Sequence, residues 1–286
     1  MAARMASSAQ VLWTVAAALA AGAAIPTAAQ AQTAENRQRI HLGHPALAKA
    51  DIAAAVANPA RPAAERARDA YRHPAETLGF FGLHSGQTVV ELYPGGGWYA
   101  RILAPLLARH GHYIAATGPG AQAQEAARKL IAGQGERASV AAFDPAAGSD
   151  LASAGTVDRV LTFRNLHNLV SKDEAPAAAF LAAAFRALKP GGVLGIVDHR
   201  LPEGADSARE RSSGYIKRST VVRLAQAAGF RLDGESEVNA NPKDTADWPE
   251  GVWTLPPTLR LGDQDRARYQ AIGESDRMTL RFVKPR

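Results

Sequence analysis

The sequence contains no cysteine among its 286 residues. Disulfide frameworks, thiolate metal sites and cysteine nucleophiles are therefore excluded. The absence also suits a chain exported to an oxidising compartment, where a free thiol is a liability. The G-x-S-x-G nucleophile elbow and the G-x-x-x-x-G-K-[ST] phosphate loop are missing too, which argues against hydrolase and nucleotidase functions. The 8 histidines show no H-x-x-x-H spacing within a helical pattern, so no metal site is expected.

A concentrated cationic stripe is also missing, although the formal net charge is +6. Lysine and arginine are spread along the chain, whereas a nucleic-acid partner requires a basic face. A small-molecule substrate is expected instead, and the sequence does not indicate an oligomeric state. Apolar residues make up 47% of the chain, which is enough for a large buried core.

No apolar run reaches the length of about 20 residues that a membrane span requires. The N-terminus instead has the pattern of a secretory signal, with Arg4 ahead of the apolar stretch Val11–Ala24 and a small-residue cleavage site at Ala29-Gln30-Ala31. We expect a signal peptide over residues 1–31, cleavage before Gln32 and a periplasmic product without a stable membrane span. A retained membrane anchor is the alternative.

Strand and helix patterns alternate through most of the remaining chain. Residues 32–75 predict an N-terminal helical extension, and residues 76–286 predict one α/β domain. The predicted strands are Thr88–Leu92, His112–Thr117, Ala138–Phe143, Val157–Phe163, Val193–Val197, Arg231–Val238 and Met278–Val283. The predicted helices are Trp98–Arg109, Ala121–Ile131, Asp173–Leu188 and Thr220–Ala228. This alternation predicts a Rossmann-like, doubly wound, mostly parallel sheet with helices on both faces.

The last two predicted strands lack a helical crossover between them. We therefore expect an antiparallel pair at the C-terminal edge of the sheet. The segment that separates them, residues 239–275, is rich in loop signals and too long for an ordinary connection. We call it the insertion and expect it to cover a site or to bind a partner.

The most informative segment is Glu91-Leu92-Tyr93-Pro94-Gly95-Gly96-Gly97, which directly follows the first predicted strand. Ligands of open α/β sheets bind at the carboxyl ends of the strands. Glycines there allow a sharp turn and a close approach of a ligand to the backbone. The segment therefore predicts a binding loop with the carboxylate of Glu91 beside it.

This segment resembles motif I of class I S-adenosylmethionine-dependent methyltransferases. Glu91 matches the acid of that motif, Gly95 and Gly97 match its second and third glycines, and Tyr93 replaces the first glycine. The turn Lys189-Pro190-Gly191-Gly192 is similar to the turn before the fifth strand of that family.

The wider sequence looks closer to a subgroup of exported bacterial predicted methyltransferases. The resemblance extends from about residue 46 to the C-terminus. Its marks are Tyr71-Arg72-His73-Pro74, Pro94-Gly95-Gly96-Gly97-Trp98-Tyr99, Asn165-Leu166-His167, Val197-Asp198-His199-Arg200 and Asn241-Pro242-Lys243-Asp244.

The resemblance implies S-adenosyl-L-methionine as the cofactor. The residues it assigns to cofactor binding are Glu91, Tyr93, Gly95, Gly96, Gly97, Thr117, Asp144 and Asn165. Thr117 stands where family members usually carry an acid that binds the ribose hydroxyls. Asp144 matches the position that meets the adenine amino group, although an aspartate before Pro145 is also typical of a turn. Glu91 is alternatively a buried acid whose hydrogen bonds are satisfied within the loop.

His167 is the candidate catalytic base, because it follows the fourth strand and an imidazole titrates near neutral pH. A capping histidine bound to the loop is the alternative. His199, Arg200 and Tyr215 are candidate substrate contacts, with Arg200 as an anion anchor. A His–Asp hydrogen bond that fixes the loop is the other interpretation of Asp198 and His199.

Three functions fit these residues to different degrees. The first is methyl transfer from S-adenosylmethionine to a small molecule. The second is a non-catalytic exported binding module that retains the fold, which is favoured by Thr117 and by the cytosolic origin of the methyl donor. A nicotinamide oxidoreductase fits less well, because the glycine spacing is not G-x-G-x-x-G and no acid ends the second strand.

Overall fold

The centre of the molecule is a mixed β-sheet. A computed structural model describes residues 45–133 and 135–286. Five strands run parallel to one another, and their order places the first strand between the second and the fourth. They are β1 Thr88–Leu92, β2 His112–Thr117, β3 Ala138–Ala142, β4 Val157–Phe163 and β5 Leu188–Leu201. The prediction of a mostly parallel, Rossmann-like α/β sheet is confirmed.

Both faces of the sheet are buried. Val89 packs into one apolar cluster, and the next residue, Val90, packs into another. Side chains alternate between the two faces of a strand, so β1 supplies core residues to both. This double burial explains why the central strands are almost continuously apolar in sequence.

Helices cover the two faces of the sheet. Those before β1 are α1 Pro45–Val56, α2 Ala63–Arg66, α3 Asp69–Arg72 and α4 Pro74–Phe80. Those after it are α5 Ala100–Leu107, α6 Ala121–Leu130, α7 Leu166–Leu169, α8 Ala175–Ala187, α9 Arg218–Ala227 and α10 Arg266–Ile272. The N-terminal helices contribute Ile52 and Leu78 to the same apolar cluster as Val89, so this extension packs into the core.

The C-terminal strands form the predicted antiparallel pair, β7 Arg231–Ser236 and β8 Arg277–Val283. The last strand, β8, lies between β5 and β7 and is antiparallel to both of them. A short strand, β6 Ile216–Lys217, pairs with the end of β5. The chain therefore closes by adding its last strand inside the sheet, with β7 left at the edge.

The insertion forms a third apolar cluster with the segment before β6, in which Trp248 and Leu255 of the insertion pack with Tyr215. Asp244 organises it, because its carboxylate accepts hydrogen bonds from the Tyr215 hydroxyl at 3.0 Å and from Trp248 Nε1 at 2.7 Å. The amide of Asn241 donates to the carbonyl oxygens of Ile272 and Glu274. These bonds hold both ends of the insertion together.

The predicted signal peptide, residues 1–31, lies outside the described residues, as do residues 32–44 of the predicted extension. Among the helices of the described part, none is long and apolar enough to pass through a membrane.

Candidate functional site

A cavity of about 410 Å³ lies at the carboxyl ends of β1 and β4. Its walls come from the loops after these two strands, from the N-terminal helices and from the insertion. This is the edge at which ligands bind in open α/β sheets, and the volume falls within the usual range for small-molecule sites. The residues predicted from sequence that line it are Glu91, Tyr93, Gly95, Gly96, Asn165, His167 and His199.

The loop after β1 turns sharply and leaves its backbone open. Tyr93 has a φ of 48°, and a Cβ atom added to Gly96 would meet no atom within 4 Å. Gly97 differs, because it does not line the cavity and a Cβ there would lie 2.1 Å from Leu130 Cδ1. The open glycine forms part of the cavity wall, whereas Gly97 allows α6 to pack closely against the loop.

Glu91 is buried at the base of this loop. The Tyr113 hydroxyl donates a 2.6 Å hydrogen bond to its carboxylate. Burial raises the pKa of Glu91 to about 7, although the Tyr113 hydrogen bond and the nearby charge of Arg164 act in the opposite direction. A carboxylate in this state gains stabilisation from any cationic ligand group that approaches it.

The loop after β4, like the loop after β1, contains a non-glycine residue with a positive φ. Arg164, the first residue after the strand, has a φ of 62°. Such left-handed backbone is uncommon for non-glycine residues and often occurs at functional sites. The Asn165 amide donates to the carbonyl oxygen of Leu92 at 2.9 Å. Asn165 therefore ties the two loops together, and its side-chain oxygen remains for a ligand.

His167 lines the cavity and forms a buried pair with Asp198, which does not line it. His167 Nδ1 lies 2.6 Å from Asp198 Oδ1. The same carboxylate accepts hydrogen bonds from the backbone N–H groups of Leu166, His167 and His199. A carboxylate is an acceptor, so His167 carries its proton on Nδ1 and leaves Nε2 as a free acceptor. Asp198 therefore binds the imidazole of His167 and not that of His199, which was the predicted partner.

His199 lies beside this pair, with its ring centroid 5.1 Å from that of His167. Its Nδ1 contacts Ser275 Oγ of the insertion at 2.5 Å. Burial lowers the pKa of His199 well below its ordinary value, and the neighbouring His167 and Arg164 lower it further. His199 is therefore a neutral polar group on the cavity wall at physiological pH.

The N-terminal helices supply the opposite wall. Arg72 is 2% exposed, and its guanidinium carbon lies 4.7 Å from the centre of the Trp98 ring. Its Nε donates to Glu274 of the insertion, which also accepts from Arg68 Nε. These contacts join the start and the end of the described chain across the cavity.

Two predicted cofactor residues, Thr117 and Asp144, do not line the cavity. Thr117 is the last residue of β2 and Asp144 follows β3, at the same edge of the sheet. Burial raises the pKa of Tyr93, and the charge of Asp144 raises it further. Asp144 Oδ1 accepts a hydrogen bond from the Ala146 N–H at 2.9 Å, the turn contact that was the alternative interpretation.

Arg200 and Tyr215 also do not line the cavity. The guanidinium of Arg200 forms ion pairs with Glu237 and Asp276, both at 2.8 Å. Tyr215 is fully buried, and its hydroxyl is bound to Asp244. Arg200 therefore holds the turn that leads into β8, and Tyr215 stabilises the insertion.

His167, Asp198 and His199 also lie close enough together to be considered as metal ligands, since one ligand atom of each lies within 4.8 Å of the others. The hydrogen bonds argue against this use, because Asp198 accepts from three backbone N–H groups and from His167 Nδ1. The surrounding arginines, which contribute to the lowered pKa of His199, also disfavour a cation.

Several lining residues were not predicted from sequence. They are Glu65, Arg68, Arg72, Trp98, Tyr99, Phe163, Arg164, Val252, Trp253, Glu274 and Ser275. Arg164 had a signal, since it is a charged residue directly after a buried strand. Glu274 and Ser275 had none, because they reach the cavity from the end of a long insertion.

No protein-family model and no curated protein matches the sequence. The fold is shared with solved structures. An S-adenosylmethionine-dependent methyltransferase from Aquifex aeolicus aligns with a TM-score of 0.52 and 18% identity over 76% of this chain and 93% of the other. The Haloferax volcanii protein solved in complex with the Trm112 methyltransferase activator aligns with a TM-score of 0.52 and 18% identity, over 82% of this chain and 98% of the other.

The [4+2]-cyclase SpnF shares the fold as well, with a TM-score of 0.50 and 18% identity over 80% of this chain and 85% of the other. A fold by itself does not define a reaction. The chain thus has the Rossmann-like fold of S-adenosylmethionine-dependent methyltransferases, a fold that also hosts a cyclase.

Proposed function

We propose that this protein transfers a methyl group from S-adenosylmethionine to a small-molecule acceptor. The observation that carries the proposal is that His167, paired with Asp198, lines the same cavity as Glu91 and the open glycine loop. A methyl donor and a proton acceptor are needed together in one water-poor site, and this cavity offers a place for both.

The residues present suit the donor. Glu91 is a buried carboxylate that a cationic group would stabilise, and the backbone at Gly95 and Gly96 is open to a ligand. Glu91, Gly95 and Gly96 would hold the donor, together with Tyr93 and the side-chain oxygen of Asn165. S-adenosylmethionine would supply an already activated methyl group, so the chain needs mainly to orient the acceptor and remove its proton.

His167 is the proton acceptor in this proposal. Asp198 fixes the ring with the proton on Nδ1, and Nε2 takes the proton from a hydroxyl or amine of the acceptor as the new bond forms. Val252 and Trp253 of the insertion supply apolar surface to the cavity wall. Asp198 is a positioning residue, since it acts through His167.

Export is part of the proposal and rests on the signal pattern of residues 1–31 alone. The likeness to the exported bacterial subgroup likewise rests on sequence motifs. A non-catalytic binding module is the second candidate, favoured by Thr117, which replaces the acid that usually grips the ribose.

Calorimetric titration with S-adenosylmethionine and S-adenosylhomocysteine tests the proposal. We expect micromolar binding of both ligands and loss of binding in Gly95→Asp, which places a carboxylate in the open loop. Gly262→Asp is a matched control, because Gly262 has a similar φ of +62° and open surroundings away from the cavity. An absence of binding to either ligand would contradict methyl transfer and favour the binding module.

The tautomer of His167 offers a second test, and its NMR measurement requires no acceptor. ¹⁵N NMR should show the Nδ1–H tautomer of neutral His167. In Asp198→Asn the new amide can donate to Nδ1, so we expect the proton to move to Nε2 and proton removal to fail. His167→Ala should lower turnover by about 100-fold or more with little change in cofactor affinity. A loss of cofactor affinity instead would identify His167 as a cofactor contact.

A further inference from the structure

Two of the acids on the cavity wall also bind arginines that do not line the cavity. Arg68, Arg72 and Arg164 line it together with Glu65, Glu91 and Glu274. Each acid has at least one partner, although Glu65 Oε2 accepts no hydrogen bond among the described residues. Glu91 accepts from the Tyr113 hydroxyl. Glu65 pairs with Arg101 at 2.6 Å, and Glu274 is shared by Arg68, Arg72 and Arg277.

Arg164 is the lining arginine without a direct ion pair, although the charges of Glu91 and Glu274 act on it at longer range. In the described part of the chain its guanidinium makes no hydrogen bond or ion pair, although it lies on the cavity wall. Burial lowers its pKa to about 10, so the group remains charged at neutral pH. A partly buried guanidinium with no acceptor is costly, and native proteins normally pair such groups.

The neighbouring arginines also have spare donors. Arg68 Nη2 and Arg72 Nη1 are buried nitrogens without a hydrogen-bond partner among the described residues. The Nη2 of nearby Arg277 already donates a hydrogen bond to the Tyr71 carbonyl oxygen at 2.7 Å. Free guanidinium donors next to a cavity match the fork geometry of a carboxylate or phosphate.

The rest of the wall indicates what accompanies the anion. Phe163 stacks on Tyr99 with ring centroids 3.5 Å apart, and both rings line the cavity. Trp253, Pro256 and Pro257 of the insertion complete an apolar surface. Such walls bind flat, apolar groups.

We infer that the methyl acceptor is an anionic small molecule, whose carboxylate or phosphate group binds Arg164 and whose apolar body lies against the aromatic wall. The inference rests on the proposed function, since it names the acceptor of that reaction. Arg164 precedes His167 by three residues in the loop after β4. An anion held at Arg164 would therefore keep the acceptor beside the base.

The test uses benzoate and phenyl phosphate as anionic probes and benzamide as a neutral probe of similar shape. Each is titrated into the protein by calorimetry, with and without saturating S-adenosylhomocysteine. We expect the anions to bind and benzamide to bind at least 10-fold more weakly. Arg164→Gln should weaken the binding of both anions by about 10- to 100-fold, while Arg164→Lys should retain part of their affinity. The charge-matched control Arg231→Gln, at an exposed site on β7, should leave the affinity for all three probes unchanged.

Thermal unfolding separates a binding role from a structural one. Without ligand, Arg164→Gln should unfold at the same or a higher temperature, because an unpaired buried charge has been removed. A large decrease would show that Arg164 supports the fold and would overturn the inference. Equal binding of benzoate and benzamide, or no effect of Arg164→Gln, would overturn it as well.

Different results would contradict the methyl-transfer reaction and the anion site at Arg164. Binding of benzoate that depends on Arg164, without any binding of S-adenosylhomocysteine, would support the anion site and remove the methyl-transfer reaction. The methyl donor itself carries a carboxylate, which 5′-methylthioadenosine lacks. Weaker binding of S-adenosylhomocysteine but unchanged binding of methylthioadenosine in Arg164→Gln would assign Arg164 to the donor and overturn its role with the acceptor.

Discussion

Glu91 is a residue whose ionisation opposes folding. It is 3% exposed, and burial raises its pKa from 4.5 to about 7. A raised carboxyl pKa favours the folded state while the group is protonated. The protein without ligand should therefore lose stability from this group between pH 4.5 and about 7 and keep that loss at higher pH. The full cost corresponds to about 3 kcal/mol at most.

Glu91→Gln removes the titrating group and keeps an oxygen that can accept from Tyr113. We expect the variant to be more stable than the parent at about pH 8 by about 1–3 kcal/mol, and equally stable at about pH 4.5. Urea unfolding at both pH values measures this. Glu125→Gln, at an exposed site on α6, is the control and should show no such difference. A constant offset for Glu91→Gln at both pH values would count against a buried ionisation.

Under the proposed function, the ionisation of Glu91 also controls the affinity for S-adenosylmethionine. Glu91 has to be ionised to attract a cationic ligand, and half of it is protonated at its pKa of about 7. Affinity for S-adenosylmethionine should thus rise between about pH 6 and pH 8 and lose this dependence in Glu91→Gln.

Residues at strand ends could be predicted from the sequence, and residues on other elements could not. Glu91, Gly95, Asn165 and His167 lie at or just after the carboxyl ends of parallel strands, which meet at one edge of any such sheet. Arg72 lies on a helix and Glu274 in the insertion. The periodicity of the sequence does not predict that either residue lies at the sheet edge. Arg200 was predicted as an anion anchor, but its acidic neighbours become visible only when β8 lies beside β5.

At the scale of elements, the buried strands are the most predictable part. β1, β2 and β4 have the bounds predicted from sequence, because their apolar runs end at clear turn signals. β5 was predicted as Val193–Val197 and extends over Leu188–Leu201. The additional residues pair with β8, β6 and the start of β4. The local sequence does not show which distant strands will pair with a segment. The full length of β5 therefore could not be predicted from its own residues.

The insertion packs on the rest of the molecule through a close backbone contact at Gly251. A Cβ atom at Gly251 would lie 2.2 Å from the carbonyl oxygen of Ser213, whereas one at Gly262 would meet no atom within 4 Å. Both glycines have a positive φ, of +57° and +62°. Alanine is therefore strained at both sites, and only Gly251→Ala also disrupts the contact.

We expect Gly262→Ala to lower the free energy of unfolding by about 1 kcal/mol, and Gly251→Ala to lower it by about 1–3 kcal/mol more. Gly251→Ala should also weaken ligand binding, since Val252 and Trp253 follow it on the cavity wall. Urea unfolding and calorimetry of both variants measure the difference. Equal losses of stability would mean that the insertion does not depend on this contact.

At the scale of the whole molecule, Glu274 joins parts of the chain that are far apart in sequence. Its carboxylate binds Arg68 and Arg72, which lie 206 and 202 residues away, and also Arg277. Burial alone would raise the pKa of Glu274, but Arg277, Arg72 and Arg68 hold it below its ordinary value. The stability that this gives is present above the unfolded pKa and is lost as the pH falls through the lower folded pKa.

Glu274→Gln leaves two buried arginines, Arg72 and Arg277, and the half-buried Arg68 to repel one another. Removing one partner from a buried ion pair typically costs about 3–5 kcal/mol, and we expect a loss of about 3 kcal/mol in urea unfolding at neutral pH. Glu125→Gln removes two exposed ion pairs, with Arg128 and Lys129, and should cost less than about 1 kcal/mol. If the cavity is an anion site, millimolar phosphate should stabilise Glu274→Gln more than the parent, because the anion then meets an additional unneutralised charge. A loss near that of Glu125→Gln would contradict a central role for Glu274 in joining the two ends of the described chain.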